Sequence, residues 1–404
     1  MIMRKNLIRL AVLLLSLCLL ATSFSGCGVV SDIKAFVVKE TAEWDELLFN
    51  EGMLAVKDGD LFGYVDTTGE YVIEPAFEDA ANFSENGLAC VKKDGKYGFI
   101  NKRGKTVIDF TFDEAYSFMD ENYALVVKDG QWGTIDKKGN YIIKPQFEGM
   151  NYFADNGLAL AKTDGFWGFV DKNGDYVIPP KYKNAKSFQK NGLAAVREDD
   201  LWGYIDEDGE YVISPAFDTA LNFIENVTGV AQDEKWGVIK SDGSWVMEPY
   251  YDRVYAFSNG YALVKKDGEF GYLNAKGEEI ISPRYVWSSA FSPNGLVIVK
   301  MGGKYGAVNA QGEMVINPRF ASGGRFAANG YAVVSLDGEY GYINGKGETV
   351  IEFQFDSASN FFKDGYALVK MGSKYGVIDE NGKYVIPPTL DGVETTRESD
   401  GFAT

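Results

Sequence analysis

The sequence predicts an all-β protein, a tandem array of ten ~35-residue antiparallel β-meander repeats wound as an open superhelical solenoid. A closed propeller-like ring is the alternative arrangement of the same units. Three observations carry the prediction. First, an aromatic–Gly pair recurs at Gly63, Gly98, Gly133, Gly168, Gly203, Gly237, Gly271, Gly306, Gly341 and Gly376, at intervals of 34 or 35 residues. A fixed period of this length is the mark of a repeat architecture. Second, another glycine stands six residues after each of them, from Gly69 to Gly382. Third, the segments between glycines alternate with a period of about two and are rich in β-branched and aromatic residues.

The first segment of the chain is expected to be a targeting signal. Arg4, Lys5 and Arg9 lead into the apolar run 10–20, and Phe24-Ser25-Gly26-Cys27 follows. A basic end, a short apolar core and small residues before a cut site describe an exported precursor, not a permanent spanning helix. The pair Ser25-Gly26 before Cys27 resembles the bacterial lipoprotein signal. That resemblance implies removal of residues 1–26 and a lipid such as palmitate on Cys27, anchoring the protein to the cell membrane facing away from the cytoplasm. Phe24 departs from the aliphatic residue usual at its position. Residues 27–47 then form the lipidated Cys and a tether, 48–390 the repeat array, and 391–404 a polar tail expected to be disordered.

With Cys18 in the signal and Cys27 lipidated, Cys90 is left as a single thiol, and no intramolecular disulfide can form. It lies between Ala89 and Val91 where other repeats carry Leu160 or Ala195. This is the setting of a small buried hydrophobe.

Each repeat predicts three strands, for example 192–196, 202–206 and 211–213. The first turn is Asp-Gly in most copies, as at Asp94-Gly95 and Asp164-Gly165, and supplies the positive φ angles of a two-residue hairpin. The second, such as Asp171-Lys172-Asn173-Gly174, is a four-residue turn with a left-handed Gly. Twelve residues after the marker Gly comes Pro75, Pro145, Pro180, Pro215, Pro249, Pro283, Pro318 or Pro388, with Phe110 and Phe353 in the other two repeats. Proline cannot donate to a ladder, so the third strand is expected to end there. Aromatic residues follow at offsets 14 (Phe77 to Phe355) and 20 (Phe83 to Phe361). They are the expected glue between repeats, because one small meander cannot bury its own face. The array opens on a first-strand segment, 51–56, and closes after a third strand, 384–386. A period this short leaves little room for four long propeller strands, which favours the open solenoid.

This pattern is similar to the WG-repeat family of bacteria. Trp167-Gly168-Phe169-Val170-Asp171 and Trp202-Gly203-Tyr204-Ile205-Asp206 match it best, and the resemblance extends over all ten units. Tyr or Phe replaces Trp in six of them. The resemblance implies an exported or surface-attached all-β repeat protein, with no shared chemistry and no catalytic residues to carry over.

Composition narrows the function further. The chain has 58 Asp+Glu against 40 Lys+Arg, a net charge of −18, and no histidine. An acidic surface argues against nucleic acid and against docking on anionic lipid. Without histidine there is no Ser–His or Cys–His pair and no imidazole metal ligand. Turns such as Asp171–Asp175 and Asp206–Glu210 alternate oxygen groups, and Ca²⁺ takes about six to eight of them. The same turn elsewhere holds Lys240 or Ala310, so hairpin chemistry is the better explanation and no metal or cofactor is expected. Trp132, Trp167, Trp202 and Trp236 are candidate ligand contacts, since amphipathic rings can stack sugars or peptides. Their alternative role is packing, because Phe or Tyr fills the position in other repeats. The residues after the marker Gly (Tyr64, Phe99, Thr134, Val238, Ala307, Val377) vary and are expected to differ in exposure. The expected function is a non-catalytic exported lipoprotein whose repeats bind a protein partner at the cell envelope. The alternative is a carbohydrate or cell-wall glycan-binding module.

Overall fold

The computed structural model describes residues 47–119 and 123–393. The expected signal, Cys27 and nearly all of the tether lie outside the described residues, as do residues 394–404 of the tail. Among the described residues, every regular element is a β-strand, in ten four-stranded antiparallel sheets. Of the two arrangements open to the repeat, the chain adopts the closed one. It is a ten-bladed β-propeller, and the preferred open solenoid is corrected to a ring.

Blade 5 shows how a short repeat builds a four-stranded blade. Its strands are Asn184–Ala185, Ala194–Glu198, Leu201–Ile205 and Tyr211–Phe217, hydrogen-bonded in that order. The strand missing from the sequence reading is the first, and it is only two residues long. The second and third are joined by Asp199-Asp200, with Glu198 paired to Leu201. At the equivalent turn of blade 2, Asp94 and Gly95 take φ of 51° and 75°, the left-handed pair that such a hairpin needs.

Proline does not end the fourth strand. Pairing jumps from Tyr204–Ile213 to Trp202–Phe217, so the strand bulges around Pro215 and then rejoins the ladder. The strand is at the free edge of its sheet, where a missing N–H breaks no ladder bond. The bulge also explains the marker glycine. A Cβ on Gly203 would lie 2.5 Å from the Ile213 carbonyl oxygen and 2.8 Å from the Pro215 nitrogen.

Ring closure comes from the chain end. Met53–Asp58, Leu61–Asp66 and Tyr71–Phe77 form three strands of blade 1, and Gly392–Val393 supplies the remaining one by pairing with Lys57 and Val56. Residues 391–393 therefore belong to the array, which corrects the start of the expected tail. The physical reason is burial. Leu54, Val56 and Val65 of blade 1 form one core cluster with Leu368, Val377, Ile386 and Leu390 of blade 10. An open solenoid would leave both faces wet. Gly69, with φ of 86°, also packs its turn directly on Ile386.

Every other core cluster likewise joins neighbouring blades, as Trp167, Phe169 and Ile178 of blade 4 do with Ala185, Phe188 and Val196 of blade 5. Cys90 is fully buried among such residues, as its sequence setting implies. Blade 7 is the irregular one. Its first strand, Arg253–Ser258, is six residues long and turns tightly through Asn259-Gly260 into Tyr261–Lys266.

Candidate functional site

The four tryptophans occupy one equivalent position in blades 3 to 6, one residue before the glycine that touches the fourth strand. All are buried, with between 5% and 9% of their surface exposed. Their faces are also occupied. Tyr116 stacks on Trp132 at 5.2 Å, and Lys162 lies 5.8 Å over Trp167. Lys186 lies 5.6 Å over Trp202, and the Arg253 guanidinium 4.5 Å over Trp236. A ring this deeply buried, with one face covered by a cation or a second ring, leaves too little open face to stack a sugar. The structure places Trp132, Trp167, Trp202 and Trp236 as packing residues, one per blade, and does not bring them together.

The residues after the marker glycine do not differ in exposure. Tyr64, Phe99, Thr134, Val238, Ala307 and Val377 are all at 0%. They point into the space between blades, where size differences are absorbed by partners. Tyr64 meets Phe83 of the next blade at 4.8 Å, and Tyr204 meets Phe223 at 4.7 Å. The tyrosine hydroxyls donate to backbone carbonyls, Tyr64 to Ala81 and Tyr204 to Leu221, each at 2.7 Å. Burial raises the Tyr204, Tyr272 and Tyr342 phenols far above the usual tyrosine range.

The turn carboxylates close turns. Asp171 Oδ1 accepts the N–H groups of Asn173 at 2.8 Å and Asp175 at 3.0 Å. Asn309 Oδ1 makes the same pair of bonds with Gln311 and Glu313, at 3.0 and 2.9 Å. An amide oxygen serves as well as a carboxylate, so the requirement is for an acceptor and not for charge. The Asp175 N–H, foremost, holds the Asp171 carboxyl below its ordinary value.

A second set of acids, outside the turn motifs, joins blade to blade. Glu148 directly follows the fourth strand of blade 3, and its Oε2 accepts the Gly165 N–H in the hairpin of blade 4 at 2.9 Å. Asp252 does the same for Asp267 N–H at 2.6 Å, Asp356 for Gly372 at 2.6 Å, and Asp391 for Gly59 at 2.9 Å. The last of these spans the ring closure. Lysines reinforce two of these acids, Lys235 on Asp252 at 2.7 Å and Lys374 on Asp391 at 2.5 Å, and Lys96 pairs at 2.5 Å with Asp113, which holds the equivalent place after the fourth strand of blade 2. The spacing of 17 residues between each such Lys and Asp was the available sequence signal.

What the ring offers to the outside is its edge strands. Val72, Val107, Ile142, Val177, Val212 and Val315 stand at one equivalent edge-strand position and are 42–49% exposed. An aliphatic residue thus recurs around the molecule, beside turns whose charge varies from the acidic Asp206-Glu207-Asp208 to the basic Lys102-Arg103.

Comparison with known proteins follows the same division between fold and function. No curated protein matches the chain. It is similar in structure to a solved eukaryotic initiation factor, with 13% identity, 85% of this chain and 96% of that chain covered, and a TM-score of 0.53. Hsv2 of Kluyvelomyces marxianus shares 10% identity over 62% of this chain and 98% of its own, with a TM-score of 0.36, too low to carry an argument. The first likeness concerns the fold alone. The repeat described as "WG containing repeat" matches ten times, at residues 62–97, 97–132, 132–165, 167–202, 202–236, 236–269, 270–305, 305–340, 340–375 and 375–404. The marker aromatics begin these units one after another, and the chain belongs to the WG containing repeat family.

Proposed function

We propose that the protein is a non-catalytic exported lipoprotein whose ring of repeats is a binding scaffold for a protein partner at the cell envelope. The observation that carries this reading is the row of exposed aliphatic residues on the free edge strands. Exposed β-edges with a repeated apolar side chain suit a protein surface, which can supply both backbone groups and apolar contact. The net charge of −18 favours a partner with basic groups at its rim. The signal-like segment and Cys27 support attachment to the membrane on the side away from the cytoplasm. The lack of histidine supports a non-catalytic role. The glycan-binding alternative draws less support, since the rings it would use are covered.

The test is a pull-down from detergent-solubilised envelopes using the full chain, with bound protein and sugar both identified. The triple variant Val107→Asp, Ile142→Asp, Val177→Asp alters three adjacent blades at exposed positions. One dominant protein, captured by the parent and lost by the variant, is the expected result. Equal capture by both would remove the edge strands as the binding surface. Glycan without protein would move the reading to the alternative.

A further inference from the structure

Blade 7 departs from the other nine at one register position. The first residue of each short strand lies directly opposite a residue near the first hairpin turn. In the other blades this pair holds at most one cation, as in Asp79–Lys92, Gly149–Lys162, Asn184–Arg197 and Trp287–Lys300. The remaining five pairs, from Glu114–Val127 to Gly392–Lys57, follow the same rule. Blade 7 sets Arg253 opposite Lys265. Like charges directly opposite on one sheet face repel and destabilise it.

No acid pairs directly with either cation. Among the described residues, neither Arg253 nor Lys265 forms an ion pair. Both line an open hollow with Asp252, Tyr255 and Gly268. The Asp252 carboxylate is already engaged, by Lys235 at 2.7 Å and the Asp267 N–H at 2.6 Å. The Arg253 guanidinium lies 4.5 Å from the Trp236 ring centre and 5.7 Å from that of Tyr255. Lying over rings leaves the donor edge of a guanidinium free for an oxyanion. Lys186, over Trp202, is outside the lining of the hollow but feels the charge of Arg253. Burial first, and then the charge of Arg253, holds its ammonium below the usual lysine range.

We infer that this hollow binds a phosphate group, with Arg253 donating to two of its oxygens and Lys265 balancing the second negative charge. A dianion answers both unpaired cations, where a carboxylate would answer only one. Tyr255 flanks the site for whatever the phosphate is attached to. The site lies on blade 7 and is independent of the partner proposed for the edge strands.

The test titrates the full chain with inorganic phosphate and with glycerol 1-phosphate at constant ionic strength, following tryptophan fluorescence and the thermal midpoint. Both ligands are expected to bind and to raise the midpoint. Lys265→Gln should weaken binding by about tenfold or more, as expected for a lost charged hydrogen bond. Without phosphate its midpoint should equal or exceed the parent's, which shows that the fold is intact. Lys300→Gln, at the equivalent position of blade 8, should bind as the parent does. Tighter binding of glycerol 1-phosphate would identify an organic phosphate as the ligand, and equal binding would identify the phosphate alone. No binding, or equal weakening by both variants, would overturn the inference.

Discussion

Phe188 is buried in the core shared by blades 4 and 5, with its ring 4.7 Å from Phe169. Truncation there removes packing on both sides of an interface, so Phe188→Ala should cost about 3–5 kcal/mol in chemical denaturation. Unchanged stability would mean that the ring is not inter-blade glue. Tyr182 presents the opposite case. It is fully buried, and its hydroxyl has no hydrogen-bond partner among the described residues. Burial, with Glu198 and Glu210 adding, pushes its phenol up to about 12. Most repeats hold Phe at this position, so Tyr182→Phe should be neutral or stabilising by about 1 kcal/mol. The sign of the pH dependence follows. A folded phenol that ionises above the unfolded value of 10.0 favours folding below pH 10, and that contribution fades as pH rises toward about 12. The Phe variant should show a flatter alkaline stability curve in that window. Large inward aromatics were legible in the sequence because their spacing repeats. The fate of one hydroxyl was not, because it depends on what the neighbouring blade offers.

At the scale of elements, the hairpin turns were plain from Asp-Gly and from the recurrent second glycine. Two features were not. The two-residue strand has no alternation to read, being shorter than any pattern. The bulge at proline needs knowledge that the strand lies at an edge. The inter-blade acids belong here too. Asp391 is held below its ordinary value of 3.8, first by Lys374 and then by the Gly59 N–H. A carboxyl depressed in the folded state stabilises it above the unfolded value, and the contribution is lost as pH falls through the folded one. Stability should therefore drop on acidification below about pH 4, and Asp391→Asn should blunt that drop while lowering the thermal midpoint at neutral pH. An unchanged midpoint would show that the ring closure does not use this contact. A chain stopped at Leu390 should lose more than the point variant, since the closing strand goes with it.

For the whole molecule the decisive contact is between the two ends of the array. Lys57 and Gly392 are paired across the closure, although 335 positions separate them in the numbering. Cysteines at both places, Lys57→Cys with Gly392→Cys, should form a disulfide on oxidation. Closing so long a loop should add about 2–4 kcal/mol of stability. Gel mobility without reductant reads the bond directly, and its failure to form would speak for separated ends. The same closure accounts for the out-of-phase start and finish of the array, because blade 1 is assembled from both.

Local chemistry was enough to determine that this protein is all-β, that it has ten units, where its hairpins turn and which rings face inward. Strand alternation, glycine φ angles and aromatic spacing are all set within one repeat. Closure, the burial of the tryptophans and the facing cations of blade 7 were decided by tertiary structure alone. Each depends on the angle between successive blades, or on residues placed opposite one another by pairing, and neither quantity is written in a single repeat.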